Sequence, residues 1–223
     1  MNTARLLLAA GAGAFAYAAL VRPRLLRWGA TEEEVRRSMP GDDQIERPGY
    51  VTNRAVTIEA PLVDVWPWLA QMGESPRGGF YSYEWIERLM GMRVANAEHI
   101  LPEFQDLHTG AALDRAGNMT VRAVEPGRAL VLGPPPGLWL DSTWAMALYP
   151  VDERHTRLVS RVRARVERWT AGALVMVAIM DPGQFIMERK FLLEVKKRAE
   201  ALSRREALAV AVAAAQNPEH ART

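Results

Sequence analysis

Glu188 stands where a hydrophobic residue is expected. It opens the series Glu188, Leu192, Val195, Ala199 and Leu202, which steps by four and three residues along the longest helical stretch of the chain. A carboxylate on an inward stripe needs a partner, a raised pKa or a wet cavity beside it. There it could anchor a ligand or serve as a general acid or base. An ion pair with an inward arginine such as Arg54, or exposure near a helix start where acids are favoured, are the other readings of the position. The second stretch with chemical potential is RGGFYSYEW, residues 77–85, in which Phe80, Tyr81, Tyr83 and Trp85 follow the pair Gly78-Gly79. Rings this dense fill a corner of a core or line a pocket, with Tyr hydroxyls and Trp N–H groups as polar handles. Trp66 upstream, and Trp144 and Met146 on a later strand, would extend the same wall.

Other chemistries find less support. The chain has no cysteine, so disulfide frameworks, thiolate metal sites and Cys nucleophiles are excluded. His99, Glu103, Asp106 and His108 lie within one irregular stretch, but their spacing matches no metal-ligand pattern, and they are read as loop residues. Neither a metal nor a cofactor is expected. A net charge of +2 over 223 residues makes no case for nucleic acid.

The elements that must position these residues follow from periodicity. Tyr50–Ala60 reads as a strand, and Pro61 is suited to open a helix that carries Val65, Trp66, Leu69 and Met72, with a kink expected at Pro67. Ser82 is placed to cap a second short helix whose Trp85, Ile86, Leu89 and Met90 face inward. From Thr120 the period becomes two. Thr120–Val124 and Ala129–Leu132 flank the turn Glu125-Pro126-Gly127-Arg128, and Ser142–Tyr149 pairs with Thr156–Val166 across Pro150–His155. In the last strand Leu158, Ser160, Val162, Ala164 and Val166 share one face, while Arg157, Arg161, Arg163 and Arg165 share the other. That arginine stripe is read as a solvated outer face, with an anionic partner as the alternative. Ala171–Met180 is apolar but too short to span a bilayer, and Asp181-Pro182 opens the final helix, expected to run to about Arg205.

Upstream, residues 28–49 read as a polar connector, in which Thr31-x-x-Glu34 has capping-box spacing and predicts a helix over Glu32–Ser38. Residues 1–27 hold an uncharged apolar run, Leu6–Val21, followed by Arg22, Arg24 and Arg27. A single membrane anchor through residues 6–21 with a cytoplasmic domain is the first reading, because cations after the run favour the cytoplasmic side. Export after cleavage near Ala18 is the second, and a helix packed on the domain or lying in the interface is the third. The domain then occupies 50–206, and 207–223 is an Ala-rich tail expected to fray.

Strand, two short helices, antiparallel strands and a long last helix is the order of an α+β helix-grip fold. The segments RWGATEEEV (27–35), APLVDVWPWLAQMG (60–73), RGGFYSYEWIE (77–87), AVEPGRALVLG (123–133) and DPGQFIMERKFLLEVKKRAE (181–200) carry a closer likeness. Over roughly residues 27–200 the chain resembles the START-related superfamily called SRPBCC, especially its polyketide cyclase/dehydrase and lipid-transport branch. The resemblance implies a curved antiparallel sheet wrapped around the last helix and enclosing a hydrophobic cavity. It also implies an apolar ligand such as a lipid, a sterol or a polyketide, and in some members cyclisation or dehydration. No catalytic set of such enzymes is matched residue by residue here. The expectation is therefore an apolar small-molecule binder, its cavity built from Trp66, Phe80, Tyr81, Tyr83, Trp85, Trp144, Met146 and Leu192, with Glu188 as polar anchor. The alternative is a cyclase or dehydratase in which Glu188 acts as general acid/base, assisted by Tyr81 or Tyr83.

Overall fold

Five strands, β1 (Tyr50–Ile58), β2 (Thr120–Glu125), β3 (Ala129–Gly133), β4 (Ser142–Pro150) and β5 (Thr156–Ala164), pair into an antiparallel sheet. The structure, a computed structural model, describes residues 11–13, 15–135, 141–165 and 171–216, with side chains of the last segment from Asp181 onward. Val166, Leu6–Ala10 of the apolar run and the end of the tail lie outside the described residues. The strand order is β1-β5-β4-β3-β2, so the sheet stays open between its two edges. Among the described residues the α-helices that accompany it are α1 (Arg22–Leu26), α2 (Glu32–Arg36), α3 (Leu62–Ala70), α4 (Glu84–Leu89) and α5 (Ala171–Gln216). With α5 laid across one face of the sheet, the architecture is α+β and helix-grip-like.

The side of the sheet facing α5 carries the main core. Ile58, Leu130, Leu132, Met146, Leu148 and Leu158 pack there against Phe191, Leu192, Val195 and Ala199 of α5. The inward stripe read from the sequence is thus the face that α5 buries. Asp181-Pro182, however, does not open that helix. α5 begins at Ala171 and runs through Pro182 in one piece, with the buried Asp181 carboxylate accepting from Arg22 Nε at 2.7 Å. Beyond Ala207 the chain remains helical to Gln216 with its side chains exposed, as high alanine propensity allows. Pro67 likewise sits inside α3, and Pro61 precedes that helix as its N-cap.

The opposite face of the sheet is covered as well. Residues 28–45 form a strap across it, over a small-residue cluster of Ala55, Ala129, Val131, Ala145, Ala147 and Val159 into which Met39 packs. The expected solvated arginine stripe is what holds the strap down. Arg161, buried, donates to Asn53 Oδ1 (2.6 Å), Asp42 Oδ2 (2.6 Å) and the carbonyls of Arg37 (2.9 Å) and Glu34 (2.8 Å). Arg157 grips the Glu34 carboxylate through Nε (2.7 Å) and Nη2 (2.9 Å), and Arg163 donates to the Ile45 carbonyl at 2.8 Å. Arg165 alone of the four is exposed. The capping box forms as its spacing predicts: Thr31 Oγ1 accepts from Glu34 N (3.2 Å) and Glu34 Oε2 from Thr31 N (2.8 Å). Helix α2 ends at Arg36, two residues before the expected Ser38.

Candidate ligand cavity

Between the sheet and the N-terminal half of α5, roofed by α4, lies a cavity of about 570 Å³. That volume suits a small-molecule ligand, for which pockets of about 300–1,000 Å³ are usual. Its walls are mainly apolar: Phe80, Met92, Leu132, Trp144, Met187 and Phe191 contribute most of the large side chains. The Phe80–Met92 segment supplies the side of the cavity that lies opposite the sheet. That segment is anchored by Ser82 Oγ, which donates to the Met187 carbonyl at 3.1 Å rather than capping a helix. Trp144 meets Phe191 edge to face at 5.1 Å, which fixes the indole on the floor of the cavity.

Glu188 reaches this cavity from α5, but it is not free. Arg54 and Ser160 are cross-strand partners in the β1/β5 register and share the face toward α5. Arg54 Nη1 forms an ion pair with Glu188 Oε2, and Ser160 Oγ donates to Glu188 Oε1 at 2.7 Å. Trp144 Nε1 donates to Ser160 Oγ at 2.8 Å, and Arg54 Nε donates to the Leu25 carbonyl at 2.9 Å. Burial pushes the Glu188 carboxyl upward in pKa, and the Arg54 guanidinium and Ser160 hydroxyl oppose that shift. The group is therefore a strut joining β1, β5 and α5, with one edge on the cavity.

A second carboxylate lies on the wall, and it has no such support. Glu87 on α4 is 2 % exposed, and among the described residues its Oε2 has no hydrogen-bond partner. Desolvation, with a smaller contribution from the neighbouring Glu84 carboxylate, pushes its pKa up to about 7. Sequence reading placed Trp85, Ile86, Leu89 and Met90 on the inner face of this helix. In the fold the helix is turned, because Glu84 Oε1 accepts from Asn96 N (2.8 Å) and Arg88 Nη2 donates to the Val94 carbonyl (3.0 Å). Those bonds pin the Glu84/Arg88 edge to residues 94–96 and rotate Trp85 and Leu89 into solvent, at 66 % and 81 % exposure. Ile86, Glu87 and Met90 are left to line the cavity. The signal that could have found Glu87 is the Glu84/Arg88 pair at i,i+4 spacing: placing that pair at a polar edge leaves Glu87 without a mate.

Of the nine residues named as cavity wall, Phe80, Trp144 and Glu188 line the cavity. Met146 and Leu192 are fully buried in the core away from it, and Trp66 packs half-buried against that core. Tyr83 is half-buried under the Lys190 ammonium at 5.7 Å. Tyr81 belongs to a polar corner. Its hydroxyl accepts from Gln71 Nε2 at 2.9 Å, its N–H donates to Asn96 Oδ1 at 2.7 Å, and burial raises its pKa. Asn96 Oδ1 lies only 2.4 Å from where a Cβ on Gly79 would sit, at a φ of +80°, so the glycine pair makes room for this corner. The most distinctive block of the sequence is thus chiefly a structural joint, with Phe80 and Ser82 as its contributions to the cavity. Among the described residues, no helix is long and apolar enough to cross a membrane.

No family model and no curated protein matches the chain. Solved structures do resemble it. One, from Nitrosospira multiformis, is 16% identical over 70% of this chain and 99% of that one, with a TM-score of 0.41. Another, from Thermobifida fusca, is 19% identical over 68% and 94%, with a TM-score of 0.40. DynU16, a protein of the dynemicin biosynthetic locus, is 15% identical over 67% of this chain and 48% of its own, at 0.39. Likenesses of this strength leave the fold to be judged on its own geometry and say nothing of activity.

Proposed function

We propose that the domain binds an apolar small molecule, of lipid, polyketide or sterol-like character, in the cavity between the sheet and α5. The observation that carries this reading is a void of about 570 Å³ walled by aromatic and aliphatic side chains with few polar groups. A titration with Nile red, repeated on Met119→Trp, tests it. The dye should bind the native chain, and filling the cavity from Met119 should weaken binding with little change in melting temperature. Equal binding by both would place the dye elsewhere and remove the reading.

A second reading, acid–base chemistry on a polyketide-like substrate, is favoured by one observation: an unpaired carboxylate of near-neutral pKa on the cavity wall. Glu87 is the residue for that role. Glu188 is held by Arg54 and Ser160, and neither Tyr81 nor Tyr83 lines the cavity. Turnover of a polyketide surrogate that disappears in Glu87→Gln would support catalysis. Attachment to a membrane through residues 6–21, with the domain on the cytoplasmic side, completes the proposal. It is supported by the exposed Phe15, Leu20 and Val21 ahead of the arginines. Full-length protein should then sediment with membranes and resist alkaline extraction, and recovery in the soluble fraction would defeat this part.

A further inference from the structure

Six buried side-chain nitrogen or oxygen atoms among the described residues have no hydrogen-bond partner, and of the residues that own them Glu87 alone lines the cavity. Three other polar residues on the wall, Ser82, Gln184 and Glu188, are occupied. Ser82 donates to Met187 O, Gln184 Oε1 accepts from the Tyr50 hydroxyl at 2.6 Å, and both Glu188 oxygens are held. Among the described residues, the charged groups around Glu87 do not neutralise it either. Glu84 on its own helix is a like charge, with Arg88 committed to Glu84 and Val94. Glu188 on the α5 wall is matched by Arg54, and Lys190 pairs with Glu194 at 2.5 Å. A buried carboxylate left without a donor is costly to the free protein. Each such group calls for an explanation, and on a cavity wall a ligand that completes the hydrogen bonding supplies one.

We infer that Glu87 is the recognition point of the cavity, and that it selects an apolar molecule carrying a hydrogen-bond donor, a hydroxyl or an amine, at the end that reaches α4. This rests on the apolar-cavity reading and narrows it. A carboxylate accepts and does not donate, so a donor head is matched while a carboxylate head is repelled. An acidic lipid tail-first in the cavity therefore falls outside the selected class. An amine gains an ion pair in a desolvated site, and an alcohol gains a charge-assisted hydrogen bond.

The experiment compares dodecylamine, dodecanol, methyl dodecanoate and dodecanoate as competitors of Nile red at alkaline pH, where Glu87 is ionised. The two donor-headed probes should compete roughly tenfold or more better than the ester and the acid, the scale of one hydrogen bond to a charged acceptor. In Glu87→Gln and Glu87→Met that preference should shrink to near parity while Nile red binding persists. The Met variant should also melt at a higher temperature than the native chain, because an unmatched charge has been removed. An order of affinity that ignores the head group, or one unchanged by both variants, overturns the assignment of Glu87 and leaves the cavity reading standing. Failure of Nile red and of every dodecyl probe to bind removes the cavity reading itself. Ester and acid binding as tightly as the amine only in Glu87→Gln supports the proposal, since it shows that the carboxylate had rejected them.

Discussion

The two faces of the sheet solve opposite problems with the same residue types. On the strap side, Arg157, Arg161 and Arg163 of β5 are all matched. Arg161 meets Asn53, Asp42 and two carbonyls, Arg157 meets both oxygens of Glu34, and Arg163 meets Ile45 O and Asp42. On the α5 side two carboxylates are buried, and they differ. Glu188 is matched by Arg54 and Ser160, whereas Glu87 lines the cavity with its buried Oε2 unmatched among the described residues. Saturated polar burial marks structure, and unsaturated polar burial beside empty space marks a site waiting for a partner.

Removing the strap should be the most damaging way to test this contrast. A chain beginning at Ile45 loses the partners of Arg157 and Arg161 and uncovers the Ala-rich back of the sheet. Its loss should approach the whole stability of an ordinary domain, about 5–15 kcal/mol, and be seen as aggregation or a non-cooperative melt. A cooperative melt near that of the full chain would show the strap to be dispensable.

Glu188→Gln should rank next. It leaves the Arg54 guanidinium buried without its counter-charge, a change that typically destabilises by roughly 3–5 kcal/mol. Denaturant melts would read this directly, and an unchanged midpoint would mean the pair is not formed.

Glu87 should act through pH, with the opposite sign from a matched carboxylate. Its ordinary pKa of 4.5 is raised to about 7 in the fold. Below 4.5 both folded and unfolded chains carry the proton. Between 4.5 and 7 the unfolded chain releases it while the folded chain retains it, so stability falls as pH rises and levels off above 7. The fall is worth roughly 3 kcal/mol, and it should vanish in Glu87→Gln. Identical pH profiles for the native chain and the variant would show that Glu87 is solvated. The smallest effect belongs to the strap's own helix: Thr31→Ala removes one half of the capping box and should cost about 1 kcal/mol in the same melts.

Local patterns settled much of this protein in advance. A Val-, Thr- and Ile-rich run stopped by Pro61 located β1, period-two alternation from Thr120 located the other four strands, the Thr31-x-x-Glu34 spacing located a cap, and the Leu192/Val195/Ala199 stripe located the face that α5 buries. Each is decided by residues near one another in the chain, which is why one dimension suffices to read it. The position of Glu188 on that stripe also pointed to Arg54 as one of its readings. What only the tertiary structure decided is which polar groups are matched. The rotation of α4 depends on hydrogen bonds from Glu84 and Arg88 to residues 94–96, and it exchanges Trp85 for Glu87 at the cavity. The arginines of β5 look like solvated outer residues until a strap from residues 28–45 closes over them. A short helix with apolar residues on more than one side has no preferred rotation of its own, and a polar stripe carries no record of what will cover it. Contacts between distant segments supply both answers.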